Sequence, residues 1–161
     1  MNMRLSRVPI LPLAMKHALV SLLALALLTS CSAGFRREWK TALTTGPQPG
    51  VAGAWEGTWM SEVNGHHGRL RAVVSAPKNA EGDHDFHYHA TWAKILSGAY
   101  RAEHRVSPMR GGSSFKGSHQ MPEWAGGRYT YEGTVKGDSF EARYECAKDK
   151  GVFRMKRMGA P

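Results

Sequence analysis

The chain has 161 residues and a formal net charge of +9, from 22 Lys and Arg against 13 Asp and Glu. Its length suits one domain rather than several. With 42% hydrophobic and 22% charged residues, it is too apolar for a disordered protein and too charged for a polytopic membrane protein.

The N-terminal segment has the layout of a secretory signal peptide. Residues 1–17 carry Arg4, Arg7 and Lys16 and no acid, and residues 18–28 form an apolar run of eleven residues. A membrane-spanning helix needs roughly 20 residues, so this run is too short to span a bilayer. It suits the core of a signal peptide behind a positive flank. We therefore expect residues 1–30 to be removed.

The apolar run ends in Leu28-Thr29-Ser30-Cys31, an aliphatic residue, two small residues and a cysteine. This sequence resembles the lipobox of bacterial lipoproteins. The resemblance implies cleavage before Cys31, a diacylglycerol on its thiol and an acyl chain such as palmitate on the new N-terminus. Two or three acyl chains give stable membrane anchoring. In bacterial lipoproteins an aspartate after the modified cysteine is associated with retention in the inner membrane. Ser32 occupies this position, so the resemblance favours the outer membrane of the cell envelope, with the protein facing the periplasm. An ordinary cleaved signal with an unmodified cysteine is the alternative.

The charge of the remaining chain argues against a nucleic-acid partner. Removal of the signal takes away three cations and no acid, so the formal net charge falls from +9 to +6. No Lys/Arg cluster typical of nucleic-acid binding is present. If Cys31 is lipidated, Cys146 is the one remaining thiol, and an internal disulfide cannot form.

The segment 31–50 has the composition of a flexible tether. Residues 46–50 (GPQPG) end any local helix. Phe35 and Trp39 are four residues apart and would share one face of a helical turn or two, against the domain or the membrane.

Residues 51–158 are predicted to form one all-β domain. Breaks rich in Gly, Asn, Asp or Lys divide this range into eight segments of 7 to 13 residues. This spacing is typical of a β-barrel or β-sandwich. The breaks fall at residues 64–68, 79–83, 97–98, 110–112, 125–127, 136–138 and 148–151.

Residues two apart in these segments have similar polarity. Phe86 and Tyr88 share one face of a segment and oppose His87, and Arg69 and Arg71 share another. This alternation indicates half-buried strands. Because the links are short, it favours an eight-stranded antiparallel up-and-down barrel, which has no open edges. A jelly roll or sandwich is the alternative.

The first segment begins with Gly53-Ala54-Trp55, which looks like the G-x-W signature of the lipocalin and calycin barrels. In that family the tryptophan plugs one end of the barrel, and a basic residue near the end of the last strand lies across its ring. The resemblance therefore implies that Arg157 lies over Trp55 as a cation–π contact.

The predicted inward face carries twelve aromatic residues and several Gly and Ala residues, so the interior is either solid or encloses a small aromatic-walled pocket. Two histidines share this face, and a buried imidazole needs a partner. His104 and His119 are therefore predicted to orient a small ligand together with Tyr88, Tyr129 and Tyr131. The alternative is that each histidine bonds to a tyrosine or backbone group.

His87 and His89 have the H-x-H spacing that lets two imidazoles bind one metal ion, and their parity places them on the outer, solvent-facing side. A third ligand would come from His66 or His67 if that turn folded back. Such pairs also occur on solvated strands without metal, which is the alternative to a zinc or copper site.

Catalytic motifs are missing from the sequence. There is no G-x-S-x-G, Ser118 and His119 point to opposite faces, and Cys146 falls on the apolar face. We expect no enzymatic activity and no cofactor. Two hypotheses follow: a membrane-anchored barrel that binds a small hydrophobic or amphiphilic molecule, or a non-catalytic interaction module that docks an envelope protein or polysaccharide.

Overall fold

The computed structural model describes residues 33–92 and 96–159. Residues 33–45 form a helix, α1, and eight strands and one short 3-10 helix (Glu123–Ala125) follow. The strands are β1 (Gly53–Ser61), β2 (His67–Val74), β3 (Asp83–Trp92), β4 (Leu96–Met109), β5 (Gly112–Gln120), β6 (Arg128–Lys136), β7 (Ser139–Glu145) and β8 (Lys150–Arg157).

The strands close into a barrel. Each strand pairs antiparallel with the next, and β1 pairs with β8 from Trp55↔Arg157 to Ser61↔Gly151. The predicted eight-stranded antiparallel up-and-down barrel is confirmed, and the sandwich alternative is excluded. Closure joins the first strand to the last, so the sheet has no unpaired edge.

The barrel has two different ends. At the closed end, β1 begins and β8 finishes, with the connections 75–82, 110–111 and 137–138. At the opposite end, which we call the mouth, lie the connections 62–66, 121–127 and 146–149, together with the end of β3 and the start of β4.

The interior is filled by side chains. Trp55, Phe86, Tyr88 and Phe140 are fully buried, as the alternation predicted. Phe86 and Phe115 have ring centroids 5.1 Å apart, and Phe115 and Phe140 lie 5.0 Å apart. The described grooves of about 210 to 670 Å³ are lined mainly by outward-facing residues. Together, the buried cluster and these ring contacts fill the barrel below the mouth with side chains.

Helix α1 lies against the outside of the barrel. The whole of residues 31–50 was predicted to be a tether, but residues 33–45 are helical, and Phe35 and Trp39 are buried with Ala54. Their spacing puts them on one face of the helix, and burial of that face stabilises more than a turn or two. Gly46 ends the helix at φ 78°, with its N–H donating to the Ala42 carbonyl oxygen at 3.1 Å.

The helix also has a polar contact with the barrel. The Glu38 carboxylate pairs with Arg101 and lies 2.8 Å from His87 Nδ1. Burial raises the pKa of Glu38, but the hydrogen bonds and charges of His87 and Arg101 outweigh it and hold the pKa below 4.5. Glu38 therefore stabilises the docked helix when it is ionised, and this contribution is lost as the pH falls through its lowered pKa.

Candidate functional site

The closed end of the barrel is held by Trp55 and Arg157. The guanidinium carbon of Arg157 lies 4.2 Å from the centroid of the Trp55 ring, the contact that the lipocalin resemblance implies. Arg157 also donates to the carbonyl oxygens of Gln48 at 3.1 Å and Ala52 at 2.8 Å. Trp55 Nε1 donates to the Val51 carbonyl oxygen at 2.9 Å. These bonds fix the entering chain across this end, which gives the pair a structural role.

Three of the five predicted ligand-binding residues lie in the buried middle of the barrel. Tyr88 and His104 are fully buried, and Tyr131 is nearly so. The Tyr88 hydroxyl and His104 Nε2 lie 3.3 Å apart, within hydrogen-bond distance. Burial raises the pKa of Tyr131 to about 12. These side chains form the floor of the site rather than its opening.

The imidazole of His104 is packed against the β5 backbone. Its Nδ1 is buried without a hydrogen-bond partner among the described residues. A Cβ at Gly117 would collide with this nitrogen and with the Glu103 carbonyl oxygen, so only glycine fits there. Burial lowers the pKa of His104 from 6.5 to about 4, and the ring is therefore neutral at pH 7.

The other two predicted residues, His119 and Tyr129, lie half-buried at the mouth. The His119 ring stacks on Tyr100 at 5.5 Å, and Tyr100 stacks on Tyr88 of the floor at 5.2 Å. Tyr129 stacks on Tyr131 at 6.3 Å. Two columns of rings thus rise from the buried floor to the mouth.

The mouth rings are held in place by hydrogen bonds to the end of β3 and to the connection 121–127. Trp59 Nε1 donates to the Thr91 carbonyl oxygen at 2.8 Å, and the Tyr129 hydroxyl donates to the Ala125 carbonyl oxygen at 3.0 Å. Burial lowers the pKa of His119, which favours its neutral form. A neutral imidazole both donates and accepts hydrogen bonds. The arrangement offers flat apolar faces and one adaptable polar group.

A carboxylate links two connections at the mouth. Asp149 accepts a hydrogen bond from Ser61 Oγ at 2.6 Å and one from the Tyr144 hydroxyl at 3.0 Å. Ser61 Oγ in turn accepts the backbone N–H of Val63 at 3.2 Å. The connections 62–66 and 146–149 are therefore tied together, and the mouth has a defined shape.

His87 and His89 are on the outer side of β3, but the expected solvent exposure of His87 is wrong. Phe35 of α1 covers the pair, with its ring centroid 5.1 Å from each imidazole. Alternation along a strand predicts the side on which a residue lies and not what packs there. His87 Nδ1 meets Glu38. Within residues 33–92 and 96–159, no three His, Cys, Asp or Glu side chains come together as a metal site.

Two residues that the sequence argued against as nucleophiles, Cys146 and Ser118, belong to the described part of the chain. Cys146 is a half-buried free thiol beside the mouth, and Ser118 Oγ accepts a hydrogen bond from Arg128 at 3.0 Å. The predicted lipidation residue Cys31 lies outside the described residues. No helix in the described part of the chain is long and apolar enough to cross a bilayer.

Sequence reasoning missed Trp59 and Tyr100 as site residues, because the alternation that places residues inside the barrel does not separate the mouth from the core. Both residues were on the predicted inward face. Their places near the mouth ends of β1 and β4 provide the signal that could have identified them, since those strand ends meet at one end of an up-and-down barrel.

No protein-family model matches the chain, and no curated protein or solved structure matches it either. Its function is therefore inferred from the geometry and chemistry of the barrel.

Proposed function

We propose that this protein binds a small hydrophobic or amphiphilic molecule at the mouth of its lipocalin-like barrel, without catalysing a reaction. The supporting observation is that the two ring columns end in Tyr100, His119 and Tyr129, which lie half-buried at the mouth together with the half-buried Trp59. Small-molecule sites are mostly apolar and aromatic, with few polar groups that fix orientation.

The filled interior limits the size of the ligand. Tyr88, His104 and Tyr131 occupy the barrel directly below the mouth, so a ligand contacts the upper rings and does not enter the core. A flat ring system or the end of one acyl chain matches this shallow aromatic surface. His119 is the group that meets a hydroxyl or carboxyl on the ligand.

Titration with dodecanoate, followed by calorimetry, tests this site. We expect binding with a negative heat-capacity change, because apolar surface is buried. His119→Ala removes a stacking face and the polar partner, and it should weaken binding about tenfold, or ~1.4 kcal/mol. His67→Ala is the matched control, since His67 is an exposed histidine at the same end. Absence of binding, or equal losses in both variants, would contradict the proposed site.

The protein is further proposed to be a bacterial lipoprotein of the cell envelope, anchored through Cys31 to the periplasmic face of the outer membrane. The lipobox-like residues Leu28 to Cys31 support this anchor. Helix α1 starts within two residues of Cys31 and is packed on the barrel. Because two residues span at most ~7 Å, the anchor would hold the barrel close to the bilayer.

Intact-mass measurement of the chain purified from bacterial membranes tests the anchor. The expected product begins at Cys31 and carries the added mass of a diacylglycerol and an acyl chain. Cys31→Ser should abolish this mass and release the protein from the membrane, whereas Cys146→Ser should change neither property. A mature chain that begins elsewhere or lacks the lipid mass would rule the anchor out.

A second candidate is the interaction module that docks an envelope protein or polysaccharide. It is favoured by a groove of about 670 Å³ whose lining residues come from the five consecutive strands β4 to β8. Exposed Lys116, Glu132 and Arg154 line this groove with both signs of charge. Dodecanoate binding that His119→Ala weakens and Lys116→Ala leaves unchanged supports the mouth site. Docking of a partner in this groove would instead depend on Lys116 and not on His119.

A further inference from the structure

The large exposed apolar side chains of the described residues are concentrated at one end of the barrel. Six are substantially exposed, and five of them lie at or beside the mouth. We call these five the mouth rim: Met60, Val63, Trp92, Leu96 and Trp124. Met109, at the closed end, is the sixth. Apolar side chains gathered at one exposed end mark an interaction surface.

Trp124 is the most exposed member of the rim, with 83% of its surface accessible to solvent. It lies on the short 3-10 helix between β5 and β6, and that connection is held by its own hydrogen bonds. Met121 N–H donates to the Gly127 carbonyl oxygen at 2.9 Å, and Lys148 Nζ donates to the Glu123 carbonyl oxygen at 2.9 Å. The fold therefore presents an indole to the surroundings on an ordered loop.

The other members of the rim are distributed around the mouth. Val63, 58% exposed, lies between β1 and β2, and Leu96, 52% exposed, begins β4 opposite Trp92. The rim thus lies in the connections 62–66 and 121–127 and on the facing ends of β3 and β4. A flat partner can touch these three places at once, which the curved surface of a small protein does less readily.

Helix α1 runs from the mouth half of the barrel toward the closed end. Its first turn contains Phe35, which packs on His87 and His89 of β3. Its end, near Thr45, lines the same groove as Gly53 and Val74 at the closed end. The N-terminal end of α1 therefore lies in the mouth half, where the rim is.

We propose that the mouth rim docks on a lipid bilayer, with Trp124, Trp92 and Leu96 entering the boundary between the headgroups and the acyl chains. Tryptophan is enriched at that boundary because its ring is apolar and its N–H is polar. The direction of α1 supports this orientation only if the proposed anchor at Cys31 exists. The exposed rim supports it independently of that anchor. A ligand bound at the mouth would then exchange directly with the membrane.

Fluorescence quenching by brominated lipid tests this orientation on the full chain. The chain is reconstituted into phosphatidylcholine vesicles whose acyl chains are brominated, and emission is compared with that in unbrominated vesicles. We expect brominated lipid to quench part of the emission, and Trp124→Phe to reduce the quenched part roughly twofold, because this exposed indole lies at the acyl-chain boundary.

The matched control moves a tryptophan from the mouth to the closed end. Trp124→Phe combined with Met109→Trp keeps the number of tryptophans, and the quenched part should remain as small as in Trp124→Phe alone. Three results would overturn the proposal: quenching restored by Met109→Trp, quenching that does not depend on Trp124, or failure of the chain to float with vesicles.

The Cys31→Ser variant separates the rim from the anchor. If this variant still floats and Trp124 is still quenched, the rim docks without the anchor. If the chain floats but Trp124 is not quenched, the anchor holds the chain on the membrane and the proposal that the rim docks on the bilayer is wrong. The rim would then be available to a protein.

Discussion

Replacing Trp55 by alanine is expected to lower the free energy of unfolding by about 3–5 kcal/mol, the range for truncation of a large buried aromatic residue. Trp55 is fully buried, packs on Phe140 at 5.5 Å between ring centroids and supports the Arg157 guanidinium. Its removal leaves a cavity and takes away the surface on which the charged group rests. Urea unfolding followed by far-UV circular dichroism measures the loss without using tryptophan emission.

Trp124→Ala is the matched control for this experiment, since it removes the same side chain from an exposed position at the other end. Its effect should stay within about 0.5 kcal/mol, as is usual for surface substitutions. A loss of less than 1 kcal/mol for Trp55→Ala, or equal losses for the two variants, would mean that Trp55 does not fill a packed core.

The stability of the barrel is expected to fall between pH 6.5 and about pH 4 because of His104. The folded state lowers the pKa of this histidine from 6.5 to about 4 by burial. In this window the unfolded chain binds a proton that the folded barrel does not, so acid favours unfolding. The stabilisation is complete above pH 6.5, and its loss amounts to ~3 kcal/mol by pH 4.

Urea unfolding at several pH values, in the native chain and in His104→Leu, measures this contribution. The variant should lose most of the slope between pH 6.5 and 4.5, whereas the exposed control His67→Ala should retain it. A smaller slope of the same sign remains, because burial also lowers the pKa of His89 and His119. An unchanged slope in His104→Leu would show that the imidazole is protonated or hydrated inside the barrel.

The fold was predictable because one local property repeats along the whole domain. Alternation fixes which side of a strand each residue faces, and Phe86 and Tyr88 are inside while His87 is outside. The burial of His87 was not predictable in the same way, since it depends on α1, whose contact with β3 is far away in sequence. The glycine- and proline-rich residues 46–50 led to the prediction of a tether over the whole of residues 31–50, although residues 33–45 before them are helical.

The candidate site was predictable in part. Parity assigned His104 and His119 to the interior, but it carries no information on depth along the barrel axis. His104 is enclosed beside Gly117, whereas His119 reaches the mouth. Whether the aromatic rings fill the interior also depends on how they pack in three dimensions, with Phe86, Phe115 and Phe140 in mutual contact. A list of inward residues does not determine that packing.

The central claim is that ligands bind at the mouth above a filled core, and intermolecular nuclear Overhauser effects test it most directly. With dodecanoate bound, the account predicts cross-peaks from its methylene protons to the rings of Trp59, His119 and Tyr129. Cross-peaks to Trp55 at the closed end of the barrel, or to Ala42 in the groove of about 520 Å³ beneath α1, without contacts at the mouth, would contradict it.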